Sequence, residues 1–91
     1  MILMKSKQFN LGVLDGREVI EVTLSKGEGV DIKLLDSVNF QNFKEGLKYF
    51  FLTANVINGV AKMEIPSTGR WFLIIDVDEE NEDVKTSIRI F

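Results

Sequence analysis

No cysteine and no histidine occur among the 91 residues. The missing cysteine excludes a disulfide and any thiolate metal cluster, so apolar burial alone must hold the fold. Without histidine the commonest general base and the commonest imidazole ligand are gone. Carboxylates, lysines, serines and one tyrosine are what remain for chemistry. No serine sits in a nucleophile-elbow context and no phosphate-binding glycine loop is present. The sequence therefore predicts a protein that is not an enzyme and needs no cofactor.

Proline and tryptophan each occur once, and long apolar runs are missing. The longest, Trp71 to Ile75, falls far short of the roughly 20 residues of a spanning helix, so no membrane association is expected. The opening Met-Ile-Leu-Met-Lys-Ser-Lys puts apolar residues before its lysines and lacks the apolar core of a secretory signal. A cytoplasmic location is the resulting expectation. The net charge is −3 and the eleven basic residues are spread along the chain. Phosphate neutralisation needs a clustered cationic face, so no nucleic-acid partner is expected. The length fits a single domain over residues 1–91 with one core.

What is present centres on Pro66 to Val77, which holds both the proline and the tryptophan. Pro-Ser-Thr-Gly reads as a tight turn, and the β-forming run behind it as a central strand with both faces covered. Period-two alternation marks further strands. Ile20, Val22 and Leu24 alternate with Glu21, Thr23 and Ser25, and Val30, Ile32 and Leu34 with Asp31 and Lys33. Lys26 to Gly29 between them has hairpin length, which predicts that these two strands pair antiparallel. Lys48 to Ala54 is β-like with three successive aromatics, and Asn58-Gly59 offers a turn. Ala61, Met63 and Ile65 alternate with Lys62 and Glu64, and Val84 to Ile90 closes the chain as a strand. Ile2 to Met4 adds a short edge strand. Only Ser37 to Glu45 breaks the pattern: Val38, Phe40, Phe43 and Leu47 fall at helical offsets after Asp36 or Ser37 as cap and before Gly46 as stop. A helix that short must lie against the sheet through Phe40 and Phe43. The predicted fold class is all-β, an antiparallel sandwich or jelly-roll-like domain with one short helix at about residues 37–45. An open roll with the helix across one end is the alternative.

An ordered set of motifs carries a resemblance. It comprises Leu11-Gly12, Gly16, Glu21-Val22-Thr23-Leu24, Leu34-Leu35-Asp36 with Asn39-Phe40, Gly46, Pro66-Ser67-x-Gly69-x-Trp71, Ile75-Asp76 and Val84-x-x-Ser87-Ile88-Arg89. From about Phe9 onward the chain resembles the bacterial domain of unknown function family 1883. The resemblance implies a compact β-sandwich found alone or fused to Toll/interleukin-1-receptor-like domains. Such fusions imply a sensing or binding module beside a NAD-cleaving effector. The chain departs from the family at Arg70, where relatives often carry histidine, at Thr53-Ala54-Asn55, which replaces Gly-Gly, and in the acidic 78–83 segment, which replaces a glycine-rich turn.

Three groups of residues stand as candidate sites. Phe72 and Ile74 point away from the face of Trp71, Leu73, Ile75 and Val77, so either the helix covers them or, with Phe91, they form an apolar patch that binds a protein partner or a second copy. Tyr49, Arg70 and Trp71 offer an aromatic rim for a small ligand such as a carbohydrate or a nucleotide-derived signal; the alternative places Trp71 in the core. Asp76, Asp78, Asn81 and Asp83 offer oxygen ligands for calcium, against a plain solvated hairpin tip. The pairs Asp31/Asp36 and Asp76/Asp78 keep a carboxylate-based hydrolase in view. Together these predict a non-catalytic interaction or sensing module, with a small-ligand-binding domain as the alternative.

Overall fold

Alternating apolar residues build two sheets that close on one another. In chain order the elements are β1 (Met4–Leu14), β2 (Val19–Leu24), β3 (Val30–Asp36), α1 (Ser37–Lys44), β4 (Leu52–Thr53), β5 (Val60–Glu64), β6 (Gly69–Asp78) and β7 (Thr86–Ile90). The structure is a computed structural model that describes residues 4–25, 30–78 and 84–91. One sheet has four strands in the order β1-β6-β3-β4, the other three in the order β5-β2-β7. Every pairing is antiparallel. The all-β sandwich with one short helix is therefore the fold.

The inner faces supply the core. Ile20, Val22 and Leu24 from β2 face Ile32 and Leu34 from β3 and Leu73, Ile75 and Val77 from β6 in one buried cluster. Each such side chain contributes roughly 1.5–3 kcal/mol relative to exposure. On β5 the burial alternates, with Ala61 and Met63 inward and Lys62 and Glu64 outward. The outer face of the three-stranded sheet is polar: Glu21 takes Lys62 on one side at 3.7 Å and Arg89 on the other at 3.8 Å. Exposed pairs of that length add little stability and mark a solvated surface.

Three expectations change. The hairpin predicted for β2 and β3 is absent, because β2 pairs with β5 and β7 while β3 pairs with β6 and β4. Alternation fixes which face of a strand is buried but not its neighbour, and here the two apolar faces meet across the core instead of side by side. Lys48 to Ala54 forms only the two-residue β4. Of the predicted Ile2 to Met4 strand, Met4 opens the eleven-residue β1, whereas Ile2 and Leu3 lie outside the described residues.

The Asn58-Gly59 turn forms as read. Ile57 and Val60 exchange backbone hydrogen bonds of 2.9 and 3.0 Å, with φ of 53° at Asn58 and 76° at Gly59. Positive φ at both central positions is the hairpin geometry that favours Asn-Gly. A Cβ at Gly59 would lie 2.8 Å from the carbonyl oxygen of Leu24. Gly59→Ala is accordingly expected to cost at least about 2 kcal/mol, the left-handed backbone and the clash with the Leu24 carbonyl both contributing. Urea unfolding of the variant measures this, and an unchanged midpoint would contradict it.

Candidate functional site

The helix and the segment behind it turn the outer face of the four-stranded sheet into the chemically distinctive side of the molecule. Asp36 caps α1, its Oδ1 accepting 2.9 Å hydrogen bonds from the Asn39 backbone N–H and from Asn39 Nδ2. Asn39 in turn uses Oδ1 to accept the Phe50 N–H at 2.8 Å. The cap Asp36 and Asn39 together thus tie the helix start to the segment entering β4.

An eight-residue helix is unstable alone, and its aromatics hold it down. Phe40 stacks on Phe72 with centroids 4.0 Å apart and planes 6° from parallel, while Phe43 meets Tyr49 edge-on at 5.2 Å. Such pairs add about 0.5–1.5 kcal/mol beyond the area they bury. Beneath them Leu35 and Ile74 are 1% and 0% exposed, forming a second, smaller apolar layer apart from the main core. Phe72 and Ile74 are therefore covered by the chain's own helix. Phe91 is 56% exposed but lies beside Arg89 on the three-stranded sheet, its backbone paired with Val19. The apolar patch expected from Phe72, Ile74 and Phe91 does not form, because its members stand on opposite sides of the sandwich.

Beside the aromatic layer sits a polar cluster. Lys33 reaches Asp76 at 3.0 Å across the β3–β6 pair, Ser6 donates its hydroxyl hydrogen to the same carboxylate, and Tyr49 accepts from Lys33 Nζ at 3.2 Å. Partial burial pulls the pKa of Lys33 down, but hydrogen bonds to Asp76 and Tyr49, aided by the Asp76 charge, outweigh it and raise the value above the usual 10.5. The lysine stays charged throughout the neutral range.

Asp76 is thereby engaged by a cation. Of the predicted calcium set, Asn81 and Asp83, like the side chain of Asp78, lie outside the described residues. Of the paired acids, Asp31 stands opposite Asp76 in the strand register, whereas Asp36 is taken up by the helix cap. The predicted ligand rim is only partly brought together. Arg70 and Trp71 line a cleft of about 270 Å³ with Ser67, Thr68 and Gly69, while Tyr49 packs beside Lys33, Phe43 and Phe51. Trp71 itself is 7% exposed and donates its indole N–H to the Ser67 carbonyl at 2.9 Å. It closes the Pro66 turn and fills the core instead of offering a platform.

An exposed apolar surface extends beyond the predicted aromatic rim. Phe50, Phe51 and Leu52 are 71%, 45% and 45% exposed, and they border an apolar cleft of about 240 Å³ with Leu34 and Trp71. A signal was present: successive strand residues point to opposite faces, so the run Tyr49-Phe50-Phe51-Leu52 cannot all be buried at the edge of one sheet.

Among the described residues no helix is long and apolar enough to cross a membrane. No curated protein sequence matches the chain significantly. A crystal structure of PliG from Aeromonas hydrophila, a periplasmic inhibitor of g-type lysozyme, is similar at a TM-score of 0.55 and 9% identity, covering 99% of this chain and 86% of that one. The likeness is one of fold, and that protein's periplasmic address shows that the fold is not confined to the cytoplasm. The pattern of a domain of unknown function matches residues 4–91, nearly the whole sandwich with its covering helix, and the chain belongs to that family, DUF1883.

Proposed function

We propose that this domain is a non-catalytic protein-binding module that seats a partner on Phe50, Phe51 and Leu52. The observation that carries the reading is that these three consecutive large apolar residues are at least 45% exposed, on a segment held in place by Asn39. Ordered, exposed aromatic clusters are what interfaces use as anchors. Lys48 flanks them, 5.7 Å from the Phe50 centroid, while Lys33 beside Phe51 is already paired with Asp76. The fitting partner is a protein with an apolar pocket that sets a carboxylate near Lys48. A second copy fits less well, since a two-fold contact would set Lys48 against its own copy. The fold's use by a lysozyme inhibitor supports a protein-binding role in general terms.

The test uses a photo-crosslinking residue at position 50 and, as control, at the exposed Ile57. A protein trapped at position 50 alone is purified and its affinity measured against Phe50→Ser. A loss of at least tenfold, about 1.4 kcal/mol, with Ile57→Ser unchanged, is expected. Equal binding by both variants removes the proposal. So does sedimentation showing that position 50 pairs with another copy.

A further inference from the structure

A third cleft lies on the other side of α1, between the helix and β1. It encloses about 510 Å³ and is lined by Gln8, Asn10, Ser37, Phe40, Gln41, Lys44 and Phe72. That volume is within the range of small-molecule sites, roughly 300–1,000 Å³. Two elements build it. Gln8 and Asn10 stand two apart on the outer face of β1, opposite Ile74 and Phe72, and Ser37, Gln41 and Lys44 follow one another along a single side of the helix. The stacked Phe40 and Phe72 rings form the apolar floor.

Its polar groups are largely unspent. The Gln8 amide and the Ser37 hydroxyl make no hydrogen bond within the described residues. Asn10 uses Oδ1 to accept the Gly12 N–H at 2.9 Å, leaving its NH2 group free, and Gln41 donates from Nε2 to Glu45, leaving its carbonyl oxygen. Amides and hydroxyls both donate and accept, which suits a ligand whose own groups do both. Lys44 is exposed, lies 5.0 Å from the Phe40 centroid and has no carboxylate in ion-pair contact among the described residues. The lining contains one cation and no acid, in a chain of net charge −3. The Glu45 carboxylate that accepts from Gln41 is not among the lining residues.

We infer that this cleft binds a small polyhydroxylated anion, a sugar acid or a sugar phosphate, with Lys44 meeting the acid group and Gln8, Asn10, Ser37 and Gln41 the hydroxyls. The site is separate from the Phe50 surface: it lies over β1, whereas Phe50 leads into β4 at the opposite edge of the same sheet. Neither assignment depends on the other.

Titration of the isotope-labelled domain with glucuronate, glucose 6-phosphate, glucose and inorganic phosphate tests it, reading the side-chain amide resonances of Gln8, Asn10 and Gln41. At least one anionic sugar should move these resonances saturably, with a dissociation constant on the order of 1 mM, and more tightly than glucose or phosphate. Response to glucuronate alone assigns a carboxylate ligand, and response to glucose 6-phosphate alone a phosphate ligand. Lys44→Met should weaken the anion about tenfold and erase its advantage over glucose. Gln8→Ala should weaken all three sugars alike, and Lys62→Met, on the far sheet, should change nothing. The amide spectrum of each variant reports its fold. Absence of saturable shifts, equal binding by inorganic phosphate, or a Lys44→Met protein that binds like the parent would each overturn the inference.

Discussion

Leu73→Ala is expected to destabilise the domain by about 3 kcal/mol, which for a chain of this size lowers the melting temperature by roughly 12–24 °C. Leu73 lies mid-way along β6 and is 0% exposed, with Phe9 of β1 and Leu34 of β3 as its register neighbours. Both flanking strands are hydrogen-bonded to β6, so the backbone has little freedom to close over the lost side chain. The penalty is then the transfer term plus a cavity. Urea unfolding is the measurement, with exposed Val13→Ala as a control expected to stay within about 0.5 kcal/mol. A loss below about 1 kcal/mol for Leu73→Ala would show that the inner layer collapses freely and is not close-packed.

Lys33→Met should cost about 2 kcal/mol, for an electrostatic reason. The side chains of Lys33 and Asp76 are 22% and 13% exposed, so the pair retains some contact with water and falls short of the roughly 3–5 kcal/mol of a fully buried one. Removing the lysine leaves the Asp76 carboxylate facing Asp31 across the strand pair without its cation. Two like charges directly opposite one another are destabilising. In the parent the raised pKa of Lys33 sets how the pair's contribution depends on pH. Its contribution is complete below the usual 10.5 and is lost only as pH rises through the higher folded-state value. A variant as stable as the parent would show that the pair contributes nothing net. The double variant with Asp76→Asn should recover part of the loss.

Much of this architecture was legible. The apolar run of β6 announced a strand hidden on both sides, and the spacing of Phe40 and Phe43 announced the helix that hides its outer side. The stacking of Phe40 on Phe72 joins those two readings in one contact. The neighbours of β2 and β3 were not legible, since alternation records exposure and is silent about pairing. Nor was the Lys33–Asp76 pair, which depends on a register linking residues 43 positions apart in the chain. The candidate sites were least legible. Trp71, readable both as a platform and as a core residue, closes the turn and fills the core, whereas the run from Phe50 to Leu52, read as β-like, stands in the open.

The pairing of β1 with β6, from Met4 against Asp78 to Leu14 against Gly69, has a consequence for synthesis. Within this domain β1 has to wait until β6 has been made before its hydrogen-bonding partner exists. Until then its backbone groups and half its apolar side chains have no native home, and closing so wide a loop is slow. Assembly of this domain thus awaits the synthesis of β6. A nascent chain stopped short of β6 would expose a strand open to any other unpaired edge nearby.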